Sequence, residues 1–194
     1  MLPVAYLMME HRLIERMITV LKTELEVMTS TNKPNLVLVD SIVDFIRTYA
    51  DRTHHGKEED ILFRELGRKK LPDEYQHTMD ELVMEHVFGR NETLALVEAK
   101  ERYIKGDIGA AGEMARHMGT LADFYPKHIE KEDKHFFIPV MDHFNSKERD
   151  AMCLEIHEFD RRMIHEKYDK VVRRFENERN LPGAKTNLDW VQQL

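Results

Sequence analysis

The chain has 194 residues, a formal net charge of -7 and a single cysteine. That length suits one domain with a substantial core, and its lysines and arginines are interspersed with acids instead of forming a basic stripe, which excludes nucleic acid as the main partner. Cys153 alone allows no intrachain disulfide or CxxC pair and fits a reducing compartment; with no run of about 18 apolar residues and no basic leader, the expectation is a cytoplasmic protein with no membrane partner.

With only 8 glycines and 6 prolines, and with Met, Leu, Glu, Lys and Arg prominent, the composition predicts an all-α protein. The first helix is expected over residues 4–29, where Leu7, Met8, Ile14, Met17, Ile18, Leu21, Leu25 and Met28 recur at three-and-four spacing before TNKPN breaks the pattern. A second runs from residue 36 to 66 and stops at Gly67. The third begins near Asp73 and ends at the KGD of 105–107, and the fourth covers 108–144, with a kink at Pro126 and a second bend or stop at Pro139. After the N-cap signal of Asn145 and Ser146, one further helix is expected to 180, packed outside the other four. The domain reading is a bundle over 1–145, a C-terminal helix over 146–180 and an irregular tail over 181–194 that contains Trp190.

HHGKEEDILF at 54–63 returns in altered form as HIEKEDKHF at 128–136. The likeness extends backwards, since Glu10-His11 precedes the first motif as Glu85-His86 precedes the second, so the chain reads as two copies of a helix pair. Each copy offers a lone histidine, His11 or His86, and a His-x-x-x-Glu pair, His55 with Glu59 or His128 with Glu132. Side chains four residues apart share one helix face at about 6 Å and can reach one ion. Four histidines and two carboxylates turned into a bundle core are too polar to stand alone, because each unpaired buried polar group costs about 1–3 kcal/mol. A metal cluster resolves the conflict. Imidazole with carboxylate suits iron, manganese or zinc, and two metals bridged by Glu59 and Glu132 fit the ligand count better than one.

With LMMEHRLIERM, HGKEEDILF and YPKHIEKEDKHFFIPVM in place, the sequence resembles the hemerythrin-like, or HHE cation-binding, family over roughly residues 4–145. The resemblance implies an up-down-up-down four-helix bundle with an additional C-terminal helix. It implies two iron ions, His11 and His55 on one, His86 and His128 on the other, Glu59 and Glu132 bridging, and an oxo or hydroxo group completing the bridge; manganese or zinc are substitutes. Oxygen-carrying members have a fifth histidine four residues after the third-helix ligand, where this chain has Arg90. That departure speaks against oxygen carriage and for open positions on the metals.

Other residues read more plainly. His54 points about 100° away from His55 on an ideal helix and is taken as solvent-facing or supporting; Glu58 is a minor candidate as ligand or proton carrier. His117 lies eleven residues before His128, about 16 Å along a helix, and is outside the cluster. His77, His135 and His143 have no supporting pattern, and His157 and His165 read as packing or surface. The 12 methionines read as core filler, and Phe63 and Phe136 as the layer just past the metals. The functional expectation is a di-iron protein binding a small oxidant such as O2, NO or peroxide for sensing, protection or iron handling. The alternatives are a di-iron enzyme or iron donor, reducing NO or peroxide or supplying iron for iron-sulfur cluster repair, and a structural module stabilised by its metal.

Overall fold

Pro3 opens the first helix, α1 (Pro3–Thr31), where its missing N–H costs nothing. Leu7, Ile14, Met17, Ile18, Leu21 and Met28 form its buried stripe. The structure, a computed structural model, describes residues 2–31, 33–161 and 164–181. The sequence-based reading of a tail around Trp190 lies outside the described residues. Asn35 caps the second helix, α2 (residues 36–66), by accepting from Leu38 N at 3.2 Å. From Ile46 onwards α2 is largely π-helical, through Ile46–His55 and again through Glu58–Phe63.

The third helix, α3 (Asp73–Ile104), stops at Gly106, whose φ of 104° is open only to glycine without strain. Gly106 N donates to Tyr103 O at 3.0 Å and Asp107 N to Arg102 O at 3.1 Å, the pair of bonds that closes a glycine-terminated helix. The fourth helix, α4 (residues 110–143), runs unbroken through Pro126, turns π-helical at Glu132–Phe136 and ends in a tight turn after Pro139. Helix α4 packs along α1 and α3, and α2 closes the bundle between them. Among the described residues there are six such helical segments and no strand.

The expected single C-terminal helix is two. Asn145 and Glu148 make a reciprocal capping box that starts α5 (Ser146–Asp160), and α6 follows at Ile164–Glu178. On one continuous helix Asp160 and His165, five residues apart, would point about 140° away from each other. The break lets both reach the same point over α1 and α2, on which these helices pack.

The apolar interior is divided. One cluster runs from Leu13 through Tyr49 and Tyr125 to Phe175, the other from Val4 through Phe63 and Phe136 to Ile156. Between them lies a buried polar layer that includes Glu10, His11, His54, His55, Glu58, His86, His128 and Glu132, none more than 2% exposed. Among the described residues no helix is long and apolar enough to cross a membrane.

Candidate metal centre

Each of the four bundle helices contributes to this layer: His11 from α1, His54, His55 and Glu58 from α2, His86 from α3, His128 and Glu132 from α4. They form two constellations in which the ligand atoms lie within 4.8 Å of one another, His11 with His54, Glu58 and Glu132, and His55 with Glu58, His86 and His128. Glu58 belongs to both. Its Oε1 lies 3.1 Å from His54 Nε2 and its Oε2 lies 3.2 Å from His86 Nε2. Glu132 spans the same divide, Oε2 at 3.2 Å from His11 Nε2 and Oε1 at 3.3 Å from His128 Nε2. Two carboxylates therefore bridge a two-histidine lobe and a three-histidine lobe.

The atoms turned into the layer are the ones left over. Both oxygens of Glu58, both of Glu132, and Nε2 of His86 and of His128 are buried without a hydrogen-bond partner. The short approaches among them run off the hydrogen-bond direction, so proximity does not satisfy them. Buried carboxylate oxygens in that condition are costly, and cations held between them remove the cost. The donor set, imidazole nitrogens and carboxylates with no sulfur, fits iron, manganese or zinc.

Outward from the layer, the far nitrogens of four histidines each donate to a carboxylate, which fixes ring orientation and tautomer. His11 Nδ1 donates to Asp133 at 2.8 Å, His54 Nδ1 to Glu10 at 2.8 Å, His86 Nδ1 to Glu59 at 2.7 Å and His128 Nδ1 to Glu85 at 2.7 Å. These pairs obey a two-fold relation between the halves of the chain. His54, Lys57, Glu58, Glu59 and Phe63 correspond to His128, Lys131, Glu132, Asp133 and Phe137, while Glu10-His11 corresponds to Glu85-His86. Even the covering rings match, Phe137 stacking on His11 at 5.7 Å between centroids and Phe63 on His86 at 6.0 Å. His55 breaks the relation, since its counterpart is Ile129. It stacks on His86 at 3.9 Å and gives one lobe its third imidazole.

The structure brings His11, His55, His86, His128 and Glu132 together and leaves Glu59 outside both constellations. Glu59 is partly exposed, accepting from His86 Nδ1 and, at 2.7 Å, from Arg90 Nη2. The place shared by the two constellations is taken by Glu58, one residue earlier, and His54 stands inside where it was taken as outward. The expected pairing of His11 with His55 becomes His11 with His54. The physical reason is the π-helical run of α2: turns closed by i→i+5 bonds take more residues per revolution, so His54 and His55 both face inward, and such turns gather at functional sites. The signal was present in the sequence, because aligning Lys57-Glu58-Glu59 with Lys131-Glu132-Asp133 pairs His54, not His55, with His128. Of the remaining histidines, His117 lies apart, bonded to Glu92 at 2.8 Å. His165 is buried beside Glu10 and Asp160, not at the surface.

Burial disfavours a charged His54, but Glu58 and then Glu10 outweigh it and hold the ring at about 10. His86 follows suit, with burial opposed by Glu132, Glu58 and Glu59, at about 11. Burial and the charge of Glu58 push Glu132 up, yet His128, His11 and His86 keep it at about 2. With protons as the only cations, each lobe thus carries an imidazolium that a metal must displace, one on His54 and one on His86. Metal affinity is expected to rise with pH, by about tenfold per unit for each ion between pH 6 and 8, as one proton is released per ion. Zinc titrations in two buffers of different ionisation enthalpy count those protons; pH-independent affinity overturns the expectation.

A cavity of about 230 Å³ reaches this centre from outside. Its wall includes His55 and His86 of the three-histidine lobe, with Arg90, Asp51, Tyr125 and Leu94. Arg90 Nε donates to Asp51 at 2.7 Å, so its charge is already balanced by Asp51 and Glu59.

Comparison with known families gives a match to the hemerythrin HHE cation binding domain over residues 2–140. No significant match was found among curated proteins or among solved structures.

Proposed function

The chain belongs to the hemerythrin HHE cation-binding family, and from that premise we propose that it holds two iron ions between its two lobes and binds a small oxidant, O2, NO or peroxide, in sensing, protection or iron handling. The observation that carries this reading is the coincidence of the two constellations with the orphaned buried atoms. A di-iron pair supplies redox changes at each ion and coordination positions for a small ligand. The chain supplies the rest. Glu58 and Glu132 hold the pair together, the five imidazoles set its positions, and Phe63 and Phe137 shield His86 and His11 on one side. The fifth histidine comes from α2 as His55, so the Arg90 departure leaves the histidine count at five.

The cavity favours ligand binding over a purely structural metal, because it reaches His55 and His86 from outside and has room for a small molecule such as O2, NO or peroxide. The test is the visible spectrum of iron-loaded protein, before and after reduction and on addition of O2 or NO, with iron quantified in the same sample. Two irons per chain and bands that change with the gas support the reading; fewer than one iron, or an unresponsive spectrum, overturns it. Leu94→Trp, at the half-exposed edge of the cavity, is expected to slow NO association about tenfold or more, equivalent to at least about 1.4 kcal/mol in barrier, with iron content unchanged. Stopped-flow mixing reads that rate.

A further inference from the structure

The two-fold relation that orders the centre fails in one further place. Lys57 and Lys131 are counterparts, and each pairs with the carboxylate that orients a histidine, Glu10 for His54 and Glu85 for His128. Lys131 does so at the surface, 28% exposed, sharing itself between Glu85 at 2.6 Å and Glu81 at 3.0 Å. Lys57 is wholly buried, its ammonium bound by Glu10 and, at 2.6 Å, by Asp160 at the end of α5. His165 of α6 joins from above, Nε2 at 3.3 Å from Asp160 Oδ1 and 3.4 Å from Glu10 Oε1, with its Nδ1 2.9 Å from the Tyr49 hydroxyl. Glu10, Asp160 and His165 have the composition of a third cation site, but the ammonium of Lys57 already sits among them.

Asp160 and His165 lie beyond residue 140, outside the matched family region. We propose that the C-terminal helices α5 and α6 form a positioning arm for the two-histidine lobe: Asp160 and His165 clamp Lys57 and Glu10, and Glu10 in turn fixes the His54 ring toward its ion. The inference rests on the two-lobed reading above. In the other half Lys131 remains partly exposed to solvent, and no appended helix is needed. In this half a buried ammonium with one carboxylate removed draws on Glu10 alone, and the carboxylate that should hold His54 Nδ1 is pulled away from it. Outer partners of metal-binding histidines commonly alter affinity by about 10–100-fold when removed.

The test uses the full chain and cobalt(II) alone, titrated by absorbance and followed by the shifted Nδ1–H resonances of the metal-bound histidines. Wild type is expected to take two ions. Asp160→Asn, which keeps the shape of the side chain, should weaken one ion about 10–100-fold and displace the His11 and His54 resonances, leaving those of His86 and His128 in place. Asp160→Glu should restore the wild-type titration. Glu158→Gln on the same helix, removing an exposed charge whose partner among the described residues is Arg161, should change neither ion. Equal weakening of both ions, or affinities within twofold of wild type in Asp160→Asn, overturns the proposal. Should Asp160→Asn lose its helical circular dichroism, His165→Gln is read by the same criteria, and if that also unfolds, the helices are a structural prop and the proposal falls. A wild type that takes fewer than two ions overturns the two-lobed reading itself and this inference with it.

Discussion

Glu58→Gln is expected to leave the chain unable to retain either ion, whereas Glu59→Gln retains both. Glu58 is the one carboxylate shared by both constellations, with one oxygen beside each lobe. Removing its charge takes one anionic donor from each ion and leaves Glu132 as the sole link between them. Glu59 meets the centre through the outer nitrogen of His86 and otherwise accepts from Arg90, so its loss should weaken the three-histidine lobe by about 10–100-fold without emptying it. Anaerobic loading with iron(II), desalting and elemental analysis separate the two variants. Two irons in Glu58→Gln beside an empty Glu59→Gln would show that the carboxylate one residue later is the bridge.

That one-residue difference marks where helical periodicity stopped being a guide, although the alignment of the two halves still carried the register. Helix positions followed from apolar spacing and from strong local signals such as the Asn145 cap and Gly106, which act over a few residues and are written in them. The inward placement of His11, His86, His128 and Glu132 was legible because α1, α3 and the relevant stretch of α4 wind at ordinary pitch into the first π turn. On α2 the π turns begin at Ile46, before the ligands, so a rule of 100° per residue assigns the wrong faces to His54 and Glu59. The partners that orient the rings were not legible at all. Asp133 meets His11 across 122 positions of sequence, and Asp160 meets Lys57 across 103, contacts that exist only once the helices pack.

Stripping the metals is expected to lower the melting temperature by about 15–30 °C at pH 8, and by much less near pH 6. Each ion present at a thousandfold excess over its dissociation constant stabilises the folded chain by about 4.1 kcal/mol, so two contribute about 8 kcal/mol. In a chain of this size each kcal/mol is worth about 2–4 °C. The pH dependence follows from what replaces the ions. His54 and His86, raised to about 10 and about 11, are imidazoliums that neutralise Glu58 and Glu132 when no metal does. Because their folded values exceed the unfolded value of about 6.5, that support is fully present below pH 6.5 and is lost as pH rises through 10 and 11. Glu10 and Glu132, lowered to about 2 against an unfolded value near 4.3, add support that is present above that value and lost as pH falls through 2. The stripped chain should therefore be firmest between about pH 4.5 and 6.5, while the loaded chain gains as protons cease to compete for the same nitrogens. Thermal melts of loaded and chelator-treated protein at pH 6, 7 and 8 should diverge steadily. Curves that stay parallel would mean that protons and metal ions do not share these side chains, and the polar layer between the two apolar clusters would need another occupant.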